Sequence, residues 1–188
     1  MKLPSKIKGW LSTTTTPERL LENYVSTGDK RYLTKLVEQF NLSIYHYLVS
    51  LSDKEIAEDA LQTTWLKVMK VKATNHNNTN VKSWLYTIAR NTLIDELRHR
   101  NKWQLEELKE QISDNNSLVK SIEMDDRIEA FNIAIIQLPF HQRETLIFQQ
   151  EGFSVMEIAQ LTNESFETVK SRLRYARNNL KEMLGAQL

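Results

Sequence analysis

The stretch FSVMEIAQLTNESFETVKSRLRYARNNLK, residues 153–181, decides how the rest of the chain is read. Ser154 followed three positions on by Glu157 is a capping box, in which side chain and backbone satisfy each other at a helix start. Val155, Ile158, Ala159 and Leu161 give that helix one apolar face. Asn163 stands at the break, where a left-handed residue is wanted, and Asn tolerates that region better than most side chains. Ser165 can cap a second helix. Phe166, Val169, Leu173, Ala176, Leu180 and Met183 recur along it in steps of three and four, which traces a core stripe. Ala159 is small enough to let the second helix cross close above the first. The spacing predicts a helix-turn-helix of the kind that enters DNA grooves.

The other side of the second helix carries Thr168, Lys170, Ser171, Arg172, Arg174, Tyr175, Arg177 and Lys181. Five of these are cations, and no acid lies between Thr168 and Lys181. Such a face suits phosphates and base edges. Cations are also favoured near any helix C-terminus, but here turn spacing and charge agree, and together they point to DNA.

Composition narrows the rest. Only 4 Gly and 3 Pro in 188 residues argue against a strand-and-turn architecture, so the expected fold is all-α. No apolar run approaches the roughly 18 residues of a membrane span, and the N-terminus lacks a signal-peptide core. With no Cys there is neither a disulfide framework nor a thiolate metal site. These features point to the cytoplasm. His46, His76, His99 and His141 are far apart in sequence, and neither a phosphate loop nor a nucleophile elbow is present. No enzymatic activity, metal or cofactor is expected. The net charge of +1 hides a pattern: residues 103–126 hold two basic and seven acidic side chains, whereas residues 23–102 hold 12 basic and 8 acidic.

In chain order, residues 1–25 read as an N-terminal tail, helical from Pro17 if Pro takes the first helical position. A helix is expected over 29–51, with Leu33, Leu36, Val37, Phe40, Ile44, Tyr47 and Leu48 inward. Asp53 caps a second, in which Ile56, Ala60, Leu61, Thr64, Leu66, Val68 and Met69 are candidates for burial. Asp59, Gln62 and Trp65, spaced by three, share a face of it. A polar loop, ATNHNNTN at 73–80, precedes a third helix over 81–102, whose basic residues exceed its acids by three. The acidic stretch 103–126 reads as a linker crossed by few contacts. From residue 127, about four helices form a second domain, with Pro139 ending the first of them.

AEDALQTTWLKVMK (57–70) and VKSWLYTIARNTLIDELRHR (81–100) resemble conserved region 2 of the sigma-70 family, and LPFHQRETLIFQQEGFSVMEIAQLTNESFETVKSRLRYAR (138–177) resembles its region 4. Two motifs in this order, with nothing but a short link between them, are most similar to the extracytoplasmic function (ECF) group. The resemblance spans about residues 29–181. It implies an all-α protein of two small helical domains, a region 2 bundle at 26–102 and a region 4 helix-turn-helix domain at 127–188, joined by a flexible acidic linker at 103–126.

The resemblance also implies roles. Asp59, Gln62 and Trp65 look like the surface that grips the clamp of bacterial core RNA polymerase, with the polymerase flap as a further contact of the factor. The loop at 73–80 and Trp84, Arg90, Asn91, Asp95 and Arg98 look like the element that reads the single-stranded −10 region. Thr168, Lys170, Ser171, Arg174, Tyr175 and Arg177 look like the −35 readers in the major groove. An anti-sigma factor is the further partner the family implies; no small-molecule substrate is. Asn163 and Glu167 stand where the family usually has Gly, and Tyr175 where Arg is frequent, which leaves the −35 sequence open. The alternative from another class is a stand-alone helix-turn-helix regulator whose N-terminal helices dimerise or sense a ligand.

Overall fold

The computed structural model describes residues 15–71, 80–107 and 126–185. Among these, every regular element is a helix. Thr16 caps α1 (Pro17–Thr27), Pro17 takes the first helical position, and Gly28 closes the helix at φ +70° with its N–H donating to the Tyr24 carbonyl. Asp29 caps α2 (Lys30–Val49), and Asp53 caps α3 (Lys54–Met69) by accepting from the Ile56 N–H at 2.9 Å. Then follow α4 (Val81–Glu107), α5 (Asp126–Gln137), α6 (Phe140–Gln150), α7 (Val155–Thr162) and α8 (Phe166–Gly185).

Three of the sequence expectations need correcting or bounding. The helix expected from Pro17 forms, but it belongs to the bundle and not to a tail: Leu20 and Leu21 are buried, and the Tyr24 hydroxyl donates to the Met69 carbonyl at 3.0 Å, tying α1 to the end of α3. The third helix runs past 102 to Glu107, into the acidic stretch. The remainder of that stretch, 108–125, and the polar loop apart from Asn80 lie outside the described residues.

The largest difference lies in how the halves meet. Leu36, Ile44, Tyr47, Leu48, Ala57, Ala60, Leu85, Ala89 and Leu93 form the centre of an α1–α4 bundle. This core continues without a break into Phe148, Phe153, Ile158, Val169 and Leu173 of the second half. A smaller cluster of Ala134, Leu138, Leu146, Ala176 and Leu180 joins α5, α6 and α8. The two halves were expected to touch little; instead they share a core, because α6 presents Ile147 and Phe148 to the first bundle while Leu146 faces the second. Conversely, Leu66 and Met69 on α3 and Phe166 on α8, expected inside, are 48%, 45% and 42% exposed. Their helices carry apolar residues round more of the circumference than the neighbours cover.

Candidate nucleic-acid interface

The helix-turn-helix is built as its residues dictate. Ser154 and Glu157 form the reciprocal capping box, and hydrogen bonds from the Ser154 backbone, then its hydroxyl, hold the Glu157 carboxyl below the usual range. Asn163 adopts φ 55°, ψ 44°, the left-handed turn. Ser165 Oγ accepts from the Thr168 N–H at 3.0 Å and starts α8. Ile158, Ala159, Val169 and Leu173 are buried between α7 and α8, so the opposite side of α8 faces solvent.

On that side Lys170, Arg174, Tyr175 and Arg177 are exposed, with Thr168 and Ser171 half-buried beside them. The Arg174 guanidinium lies over the Tyr175 ring at 5.0 Å, a cation–π pair that stiffens both side chains. Lys170 is 3.9 Å from Glu167, and Arg177 donates to Gln149 Oε1 at 2.8 Å. Arg172 is different: it is half-buried and donates to Glu164 Oε1 at 2.7 Å, bracing the turn. The basic face thus keeps Lys170, Arg174, Arg177 and Lys181 outward and spends Arg172 on structure.

The residues expected at the −10 strand are not one surface. At 100° per residue, Trp84, Asn91, Asp95 and Arg98 fall within about 60° of one another on α4. Asn91, Asp95 and Arg98 are exposed, and Arg98 reaches Asp95 at 3.9 Å. Trp84 is half-buried at the head of this stripe and, with Ser83 and Thr87, lines one side of a groove whose other side is Glu157, Gln160 and Leu161 of α7. Arg90 lies about 100° round the helix from Asn91 and points the other way. Its Nε donates to Glu144 Oε1 at 2.8 Å and its Nη2 to Glu144 Oε2 at 3.3 Å, in a bidentate pair with the fully buried Glu144.

On α3, Asp59 and Gln62 are exposed as expected, but Trp65 is half-buried and its Nε1–H donates to Asn41 Oδ1 at 2.8 Å. Asp59 lies 4.0 Å from Arg100, which also reaches Glu55 at 3.3 Å. Leu66 and Met69 continue the exposed face that Asp59 and Gln62 begin.

Two acids on α6 and after it, Glu144 and Glu151, were missed at the sequence level. Glu144 also accepts from the Tyr47 hydroxyl at 3.3 Å. Glu151 accepts from the Tyr86 hydroxyl at 2.7 Å, while Lys82 donates to its backbone carbonyl and lies over the Phe153 ring at 4.8 Å. Tyr47 stacks on Phe148 at 4.8 Å, and Tyr86 meets Phe153 edge-on at 5.1 Å. Burial above all, and the adjoining carboxylates after it, push both phenols up from their ordinary range. Aromatic pairs of this kind are worth about 0.5–1.5 kcal/mol each beyond their buried area, so the rings hold the seam and the charged groups fix its register. The signal that could have found Glu144 is its place on α6: Ile147 and Phe148, three and four residues on, put it on the inward face.

The geometry can be set beside known proteins. The family profile for sigma-70 region 2 matches residues 36–103. The sigma factor SigZ of Bacillus subtilis is 28% identical over 151 residues, covering 79% of this chain and 85% of its own. The ECF sigma factor SigM of the same organism is 26% identical over 160 residues, covering 80% and 94%. Among solved structures, the sigma factor RpoE of Bartonella quintana, crystallised with the anti-sigma factor NepR, is 27% identical with a TM-score of 0.70, covering 84% of this chain and 98% of its own. CnrH, solved with the cytosolic domain of CnrY, shares the fold at a TM-score of 0.66 and 19% identity.

Proposed function

We infer, from the premise that this chain belongs to the extracytoplasmic function group of the sigma-70 family, that it binds bacterial core RNA polymerase and directs promoter recognition and DNA melting for transcription initiation. The observation that carries the reading is the co-occurrence, in one chain, of a region 2 match at 36–103 and a helix-turn-helix whose second helix keeps a basic face outward. Sigma factors are not enzymes, and the role assigned here is binding.

Within that role, residues 26–102 are the domain that takes the polymerase clamp and the −10 strand, 103–126 the linker, and 127–188 the −35 and flap-binding domain. Lys170, Ser171, Arg174, Tyr175 and Arg177, with Thr168, read the −35 duplex. This is supported by their shared face on α8 and by the preference of guanidinium groups for guanine edges and phosphates. Asn91, Asp95 and Arg98, with Trp84 and Arg90, serve the −10 strand: an amide offers both donor and acceptor to an unstacked base, and an indole offers a stacking surface. Asp59 and Gln62 meet the clamp, with Trp65 positioned behind them by Asn41. By likeness to RpoE, an anti-sigma factor is a partner of this chain as well. Among the described residues no helix is long and apolar enough to cross a membrane. The protein acts in the cytoplasm, joins the nucleoid in the holoenzyme, and sits at the membrane where its anti-sigma factor is anchored there.

The test is in vitro transcription with bacterial core polymerase on a promoter library. Promoter-specific initiation that requires both chain and core enzyme is the expected result. Equally specific DNA binding by the chain alone, unchanged by polymerase, would instead make it a stand-alone regulator.

A further inference from the structure

Glu167 stands on the α8 face assigned above to the −35 duplex, yet its charge is wrong for a phosphate. At 100° per residue it falls within about 60° of Lys170, Ser171, Arg174 and Lys181, and about 120° or more from the buried Val169, Leu173, Ala176 and Leu180. It occupies the second position of the helix, about one turn ahead of Ser171 and two ahead of Arg174. In a helix-turn-helix, the N-terminal residues of the second helix are the ones that meet base edges. The Glu167 side chain is 74% exposed, and the cation it approaches, Lys170, lies at 3.9 Å in a pair that water largely screens. Glu164, the acid before it, is by contrast partly buried and held by Arg172 at 2.7 Å. Glu167 is thus an acceptor turned to solvent at the leading end of the face.

We propose that Glu167 determines specificity at one base pair: its carboxylate accepts from a cytosine amino group in the major groove of the −35 duplex and rejects guanine and thymine there. The inference rests on the reading of α8 as the −35 reader. An ionised carboxylate can only accept. In the major groove cytosine presents the N4 amino donor, whereas guanine presents O6 and N7 and thymine presents O4, all of them acceptors. Adenine sets a donor beside the N7 acceptor, so it is tolerated less well than cytosine. The same carboxylate is repelled by the phosphates that attract Lys170 and Arg174. Glu167 therefore lowers affinity for DNA in general and recovers it at one base pair, which is choice made by penalising wrong partners. The sign of its removal is opposite to that of a cation: binding to random duplex strengthens while discrimination falls.

The experiment uses the full chain, with and without bacterial core polymerase, on a promoter library randomised across the −35 element. Sequencing the retained templates compares the parent with Glu167→Gln and Glu167→Ala. Fluorescence anisotropy on a labelled duplex of random sequence reads general affinity, and thermal melting reads the helix. The parent should enrich cytosine at one position by at least about fivefold over guanine or thymine, the low end for a base contact. Glu167→Gln should move that preference to adenine, whose N6 and N7 an amide can pair with. Glu167→Ala should lose it there and keep the rest of the element. Both variants should bind the random duplex about twofold more tightly at low salt, the effect of one charge roughly 10 Å from a phosphate in water. Glu182→Gln, an exposed acid near the far end of α8, is the control and should select the parent's sequence. Glu167 variants that also select the parent's sequence, or that lose preference at every position together, would overturn the proposal. A lower melting temperature with base preference intact would assign Glu167 to the helix dipole instead. A parent that selects no −35 sequence under either condition removes the sigma-factor reading and this inference with it. A parent that selects one while both variants match it removes only the role of Glu167.

Discussion

α4 and α8 each carry five Lys and Arg residues, and they dispose of those cations in opposite ways. α8 packs an apolar stripe against α6 and α7 and leaves Lys170, Arg174 and Lys181 in solvent, with Arg172 tied to Glu164 and Arg177 to Gln149. α4 is packed on several sides, and its cations are largely spoken for: Lys82 at Glu151, Arg90 at Glu144, Arg100 among Asp53, Glu55 and Asp59. A count of basic residues makes the two helices look alike. The difference teaches that a cation's availability depends on acids distant in sequence: Arg90 and Glu144 are 54 positions apart.

The sharpest way to break the comparison is to delete one arginine from each helix. Arg90→Ala leaves Glu144 buried without a countercharge and should cost the closed arrangement about 3–5 kcal/mol in denaturant unfolding. Arg174→Ala should change stability by less than about 0.5 kcal/mol, as for most surface substitutions. Equal losses would mean that Arg90 is as dispensable to the fold as Arg174. Binding should invert the order. In titrations of the −35 duplex, Arg174→Ala or Lys170→Ala should weaken affinity by roughly 1–3 kcal/mol and relax specificity if the contact is to a base. If it is to a phosphate, all sequences should weaken together and the salt slope should fall. Unchanged duplex affinity in both variants would remove α8 as the reader.

The smallest effect concerns the cap that orients α7 beneath α8. Ser154→Ala should cost about 1 kcal/mol by thermal melting. Its pH signature has a definite sign. The Glu157 carboxyl is depressed in the folded chain, chiefly by the Ser154 backbone hydrogen bond. Its contribution is therefore present above the unfolded carboxylate value near 4.3 and fades as pH falls through the lower folded value. Acid titration of the parent should show this loss, and Glu157→Gln should flatten it. An acid slope identical in parent and variant would show that the box contributes no charge-dependent stability.

What was legible in the sequence was local. Ser154, Asn163, Ser165 and Asp53 perform the turn and cap roles their identities suggest, because those roles depend on atoms within four residues. The stripes of α2 and α8 were legible for the same reason: most of their periodic apolar residues have a neighbour to bury against. Leu66 and Met69 were misread because periodicity records what a helix could bury and not what arrives to cover it. Leu20 and Leu21 were passed over because a short segment after a polar run shows too little period to separate helix from tail. The candidate site divides along the same line. The α8 face could be read from one helix, whereas the engagement of Arg90 could not, since it depends on a half of the chain that the linker composition suggested was independent.

The shared ion pair also limits how this protein can be recombined. Two-part factors invite exchange of halves, and on the function proposed here each half would carry its own DNA-reading helix. Here a graft of α5–α8 from a relative without an acid at position 144 would leave Arg90 facing an apolar surface, and the reciprocal graft would bring Glu144 to a partner with nothing to neutralise it. The seam couples the halves: a substitution at 90 or 144 alone unbalances the buried pair, and a chimaera that ignores it inherits a mismatched joint.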